Sequence, residues 1–117
     1  MKLLIVEDNT EMRRLIRSMV EDLAEDIREC SDGDQALAAF TDQRPDWVLM
    51  DIKMSKVDGL AATRQIISAD PAAKVMIVTD YDDVQLREAA REAGALEYVV
   101  KENLADARQI LISHTTN

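Results

Sequence analysis

The stretch WVLMDIKMSKVDG, residues 47–59, begins as an unbroken apolar run and turns polar at Asp51. Four consecutive apolar residues suit a strand covered on both faces, as in a parallel sheet, better than a strand with one wet face. An aspartate where such a strand leaves the core can cap a turn, hold a metal or act as a nucleophile. The rest of the chain must decide among these.

Four more short apolar runs stand at residues 3–6, 27–30, 75–78 and 96–100. Helical patterns fill the intervals. Met12, Leu15, Ile16, Met19, Val20 and Leu23 recur at helical spacing, with Asn9 or Thr10 as N-cap. Asp32-Gly33 leads into a helix carrying Ala36, Leu37 and Phe40, with Pro45 at its exit. Leu60, Ile66 and Ile67 suit a third helix that ends before Pro71. Asp82 or Asp83 caps a fourth, and Gly94 closes it. Asn103 with Asp106 reads as a capping box for a last helix containing Leu104, Ala107, Ile110 and Leu111. Strand and helix alternating five times predict an α/β, doubly wound (βα)5 fold, with helices on both faces of a five-stranded parallel sheet.

Composition narrows the function. A chain of 117 residues with 47% apolar and 32% charged residues fits one soluble globular domain, expected over 1–117 with no output domain inside it. No apolar run reaches the ~18 residues of a membrane span, and the amino terminus lacks a signal-peptide pattern. The single cysteine, Cys30, cannot form an internal disulfide; it reads as a small buried hydrophobe in a cytoplasmic protein. A net charge of −9 argues against direct nucleic-acid binding. Arg13, Arg14 and Arg17 suit either an acidic partner or a solvated helix face, and His114 reads as a tail residue beside Thr115 and Thr116.

In parallel sheets of this kind, functional groups gather at the carboxyl ends of the strands. Glu7 and Asp8 follow the first strand, Asp51 the third, Thr79 the fourth, and Lys101 the fifth. Three converging carboxylates repel one another unless a cation lies among them. Mg²⁺ suits such a place, because it accepts a few carboxylates and keeps positions for water and phosphate oxygens; Mn²⁺ is the alternative. A carboxylate beside it can then attack phosphorus, while a lysine and a hydroxyl receive the phosphoryl oxygens.

With these residues in place, the chain resembles a response-regulator receiver domain of two-component signalling, through LLIVEDN, SDGDQAL, RPDWVLMDIKM, VDGLAA, VMIVTD and GALEYVVK. The resemblance implies a flavodoxin-like strand order of 2-1-3-4-5. It implies that Asp51 accepts a phosphoryl group from the phosphohistidine of a sensor histidine kinase or phosphotransfer protein. Glu7, Asp8, Asp51 and the main-chain carbonyl of Lys53 would hold Mg²⁺, and Thr79 and Lys101 would take the phosphoryl oxygens. Tyr98 would be an aromatic switch that follows Thr79. The face of the fourth helix, fifth strand and last helix would then serve an output partner or a self-dimer. Such a protein is no enzyme toward other substrates; it catalyses only its own phosphorylation and dephosphorylation.

Four positions depart from the pattern. Ser55 and Glu102 stand where prolines are common, so the loop after Asp51 loses rigidity and the Lys101–Glu102 bond is expected to be trans. Asp80 places a charge where a small residue is usual, and Lys53 is expected to pair with it across the water path as a gate. The KEN after the fifth strand resembles receivers of LuxR-type regulators, so the chain is either a stand-alone receiver or the amino-terminal part of a longer one. Two rivals fit less well. A haloacid-dehalogenase-type phosphatase needs an acid two residues past its nucleophile, where Lys53 stands; a flavin binder needs a Ser/Thr/Gly-rich loop where EDNTEMRR stands. A pseudo-receiver that takes no phosphate keeps the same fold.

Overall fold

A computed structural model describes residues 1–114; residues 115–117, part of the expected domain, lie outside the described residues. Five strands and five helices alternate: β1 (Lys2–Val6), α1 (Thr10–Val20), β2 (Asp26–Cys30), α2 (Ala36–Gln43), β3 (Trp47–Met50), α3 (Gly59–Ala69), β4 (Val75–Thr79), α4 (Val84–Ala93), β5 (Glu97–Val100) and α5 (Ala105–Ser113). The sheet is wholly parallel in the order β2-β1-β3-β4-β5. This is the flavodoxin-like order, and the first crossover runs to one side of β1 while the second runs to the other.

Apart from Lys2 at the start of β1 and Thr79 at the end of β4, the central strands are apolar because both faces are covered. Leu4, Val6, Val48, Met50, Val75 and Ile77 point into one core with Phe40, Ala62 and Ile66. Leu3, Ile5, Trp47, Leu49, Met76 and Val78 point into the other with Ile16, Val20 and Leu111. Alternate residues of each strand thus serve opposite layers. The edge strand β2 departs from this, with Arg28 and Glu29 exposed.

Side chains settle most of the helix starts. Asn9 caps α1 by accepting from the Met12 N–H at 2.8 Å, Asp58 caps α3 through Ala61, and Asp83 caps α4 through Leu86. Gly94 ends α4 with φ +106°, a left-handed conformation that glycine adopts without strain. The capping box expected at Asn103 is absent. Lys101–Asn103 forms a 3-10 turn instead, and α5 starts at Ala105 behind Leu104, with no side-chain cap. No described peptide bond is cis, including Lys101–Glu102. His114 is more than a tail residue: it closes α5 and sets its ring edge against Trp47, 5.0 Å between centroids.

Candidate functional site

The pairing of β1 with β3 puts Val6 beside Met50, so the residues that follow these strands emerge together. The Asp51 N–H donates to the Val6 carbonyl at 2.9 Å, and the Glu7 N–H to the Cys30 carbonyl at 3.0 Å. Carboxylate oxygens of Glu7, Asp8 and Asp51 consequently lie within 4.8 Å of one another. Glu7 is 1% exposed and Asp51 6%, whereas Asp8 faces solvent.

Lys101 enters from the end of β5. Its ammonium lies 2.7 Å from Glu7 Oε1, 3.4 Å from Asp51 Oδ1 and 3.9 Å from Asp80 Oδ2. One ammonium among several carboxylates leaves the cluster anionic. Burial and then the negative charge of Glu7 push the Asp51 carboxyl up to about 7, against the pull of Lys101. For Lys101, burial disfavours the charge, but the bond to Glu7 and the charge of Asp51 outweigh it and hold the ammonium above the ordinary lysine range.

Thr79 ends β4 fully buried, and its Oγ1 accepts from the Tyr81 N–H at 3.4 Å. Tyr98 sits on β5 with its hydroxyl donating to the Tyr81 carbonyl at 2.6 Å, and the Arg87 guanidinium lies 4.6 Å above its ring. Burial raises the pKa of this phenol. The expected Lys53–Asp80 gate does not form. Asp80 leans toward Lys101, and the Lys53 ammonium lies 5.6 Å over the Tyr81 ring. The physical reason is competition: Lys101 already occupies the mouth of the site, and an aromatic face offers Lys53 a partner of its own.

The donor set fits a hard divalent cation: three carboxylates, two of them buried, carry more negative charge than Lys101 alone can balance. Cys30 takes no part. It is buried beside this edge, and burial pushes its thiol up, as for an inert hydrophobe.

Sequence reasoning sees in Asp32-Gly33 only a helix start and misses its reach. The Asp32 carboxylate accepts from the Val57 N–H at 2.9 Å and the Lys56 N–H at 3.0 Å, and Gly33 lies so close that a Cβ there would be 2.2 Å from the Val57 carbonyl oxygen. The role of Gly59 is equally silent in the sequence; a Cβ on it would be 1.8 Å from the Asp51 carbonyl oxygen. Arg13, read above as suiting either an acidic partner or a solvated helix face, donates to the Glu7 carbonyl at 2.8 Å and pairs with Glu29.

Residues 3–112 match the family model of the response regulator receiver domain. The chain belongs to that family. It is 36% identical over 107 residues to the chemotaxis protein CheY of Listeria monocytogenes, covering 91% of this chain and 90% of that one. It is 29% identical to the transcriptional regulatory protein ZraR of Escherichia coli, covering 97% of this chain but only 26% of ZraR. Among solved structures, a LuxR-family two-component response regulator from Aurantimonas superposes with a TM-score of 0.87 at 29% identity, over 96% of this chain and 85% of that chain. The receiver fold therefore occurs both in proteins of this length and as a quarter of longer regulators.

Proposed function

We propose that this receiver domain takes a phosphoryl group onto Asp51 from a phosphohistidine of a sensor histidine kinase or phosphotransfer protein. The observation that carries this reading is the meeting of Lys101 with Glu7 and Asp51 inside a cluster of three carboxylates. Glu7, Asp8, Asp51 and the Lys53 carbonyl would hold Mg²⁺, or Mn²⁺, which when bound would supply the positive charge that lets an anionic nucleophile meet an anionic phosphoryl group. A carboxylate oxygen of Asp51 forms the new bond to phosphorus as the phosphorus–nitrogen bond breaks. The imidazole nitrogen leaves with the electron pair. Lys101 and the Thr79 hydroxyl receive phosphoryl oxygens, which requires Lys101 to trade part of its hold on Glu7. The protein acts on no other substrate and catalyses only its own loading and hydrolysis.

Loading draws Thr79 toward the phosphoryl group and with it Tyr81, whose carbonyl holds Tyr98. The face of α4, β5 and α5 changes accordingly, and an output partner or a second copy reads it. Among the described residues no helix is long and apolar enough to cross a membrane, and we place the protein in the cytoplasm with its kinase partner. Mass spectrometry after incubation with acetyl phosphate and Mg²⁺ tests the reading. One added phosphoryl group, lost on omitting Mg²⁺ and in Asp51→Asn, is the expected result; an unmodified wild-type chain overturns it and leaves a pseudo-receiver.

A further inference from the structure

Three features of the loop between β3 and α3 pose a problem of rigidity. The loop carries Lys53, has Ser55 and no proline, and contains no regular structure from residue 51 to 58. Its ends are fastened at one point, where the Gly59 N–H donates to the Ile52 carbonyl at 2.8 Å. Something else must hold its middle.

Asp32 does so from another element. Its carboxylate, 7% exposed, accepts from the N–H groups of Lys56 at 3.0 and 3.3 Å and of Val57 at 2.9 Å, and from Asp34 in its own turn at 3.4 Å. Burial alone would raise the Asp32 pKa, but the donors from Val57, Lys56, Asp34 and Gly33 hold it below the usual carboxylate range. Gly33 permits the approach, because any side chain would strike the Val57 carbonyl. A weaker contact joins the Lys56 ammonium to Asp34 at 3.8 Å. The segment that holds Asp32 is itself tied to the acidic pair, since the Cys30 carbonyl accepts from the Glu7 N–H. One turn thus brackets both halves of the site, the Glu7–Asp8 pair and the Lys53 loop.

We infer that Asp32 is a positioning residue for the cation site: its carboxylate holds the Lys56–Val57 backbone so that the loop presents the Lys53 carbonyl beside Asp51. This rests on the reading of the site proposed above. Asp32 is not itself a ligand, because its oxygens are taken by main-chain donors. Its role follows the general rule that groups holding a ligand in place alter affinity without touching the ion.

The test is Mg²⁺ titration of the full chain followed by amide NMR, together with hydrogen exchange at Lys56 and Val57. Wild type should show protected Lys56 and Val57 amides and saturable Mg²⁺-dependent changes near Glu7, Asp8 and Asp51. Asp32→Ala should lose that protection and weaken Mg²⁺ about tenfold. Its loading by acetyl phosphate should need correspondingly more Mg²⁺ and recover at saturation. Asp83→Ala, which removes a cap on α4, controls for simple loss of stability and should leave Mg²⁺ affinity unchanged. Should Asp32→Ala fail to fold, Asp32→Asn decides. It keeps one acceptor but turns an amide toward a main-chain donor, and a loss of severalfold in affinity is expected. A folded Asp32→Ala, or that substitute, with wild-type Mg²⁺ affinity overturns the inference alone. A wild-type chain that binds no Mg²⁺ overturns the site reading and the inference together.

Discussion

Asp51 is held in a place that costs stability. Its folded pKa, about 7, lies above the ordinary carboxylate value, so the folded metal-free chain keeps a proton that the unfolded chain has already released. The sign follows from that difference. The Asp51 contribution is fully present below about pH 4 and is lost as pH rises through about 7, at roughly 1.4 kcal/mol for each pH unit between those two values. Asp51→Asn keeps the shape without the charge. In thermal unfolding without divalent metal at about pH 8, Asp51→Asn should therefore melt several degrees above wild type, with the gap closing toward about pH 4. Equal melting temperatures at the higher pH would show that Asp51 carries no electrostatic cost. Mg²⁺ at ~10 mM should raise the wild-type melting temperature, because it binds only where the carboxylates are assembled. Asp8→Ala should lose most of that gain. These residues are legible in the chain because each stands directly after an apolar run, where the topology leaves no other place for it. The Lys53–Asp80 pair is misread from sequence for the opposite reason. Charge and reach can be read from residue types, but the nearer competitors, Lys101 and the Tyr81 ring, are set by packing.

At the scale of elements, close approaches of backbone carry as much as side chains do. The start of α3 presses so closely on the end of β3 that Gly59→Ala would drive a methyl group into the Asp51 carbonyl. Neither backbone can yield cheaply, so the substitution should cost about 2–3 kcal/mol in urea unfolding. It should also slow loading of Asp51, whose main chain must move. The helix caps give a finer contrast. Asp83→Ala removes the acceptor for the Leu86 N–H and should cost about 1 kcal/mol. Asn103→Ala, at a cap predicted from sequence but not formed, should cost only a few tenths. If both substitutions cost the same, the 3-10 turn at Lys101–Asn103 is not the solution-state start of α5. The five strands can be read from short apolar runs because burial on both faces leaves a continuous local signature. The Asp32 bracket leaves none: its partners are 24 and 25 residues away, and a side chain accepting from distant main chain imposes no periodicity on the sequence.

Over the whole molecule, the sheet divides the two cores, and the loading site and output face proposed above share β4 and β5. The link between them runs through β4 and β5, where Thr79 pairs with Val100 and Ile77 with Tyr98. Tyr98 has two attachments: its hydroxyl to the Tyr81 carbonyl, and its ring beneath Arg87 of α4. Val84 and Leu96 stand exposed, at 82% and 57%, and offer apolar area to a partner. Two substitutions separate the attachments. Tyr98→Phe keeps the ring under Arg87 but removes the hydroxyl, so the Tyr81 segment is no longer held. Tyr98→Ala removes both. Neither touches Glu7, Asp8, Asp51 or Lys101, so Mg²⁺-dependent phosphorylation measured by mass should remain near wild type in each. Association that depends on phosphorylation, followed by light scattering for a self-dimer or by titration with an output partner, should be weakened about tenfold or more by Tyr98→Ala. Tyr98→Phe should fall between it and wild type, because an aromatic ring still fills the space beside Arg87 while its coupling to Thr79 is lost. Wild-type association in Tyr98→Ala would move the output surface elsewhere. A Tyr98→Phe variant as weak as Tyr98→Ala would assign the switch to the hydroxyl and its hold on Tyr81, leaving the ring as packing alone.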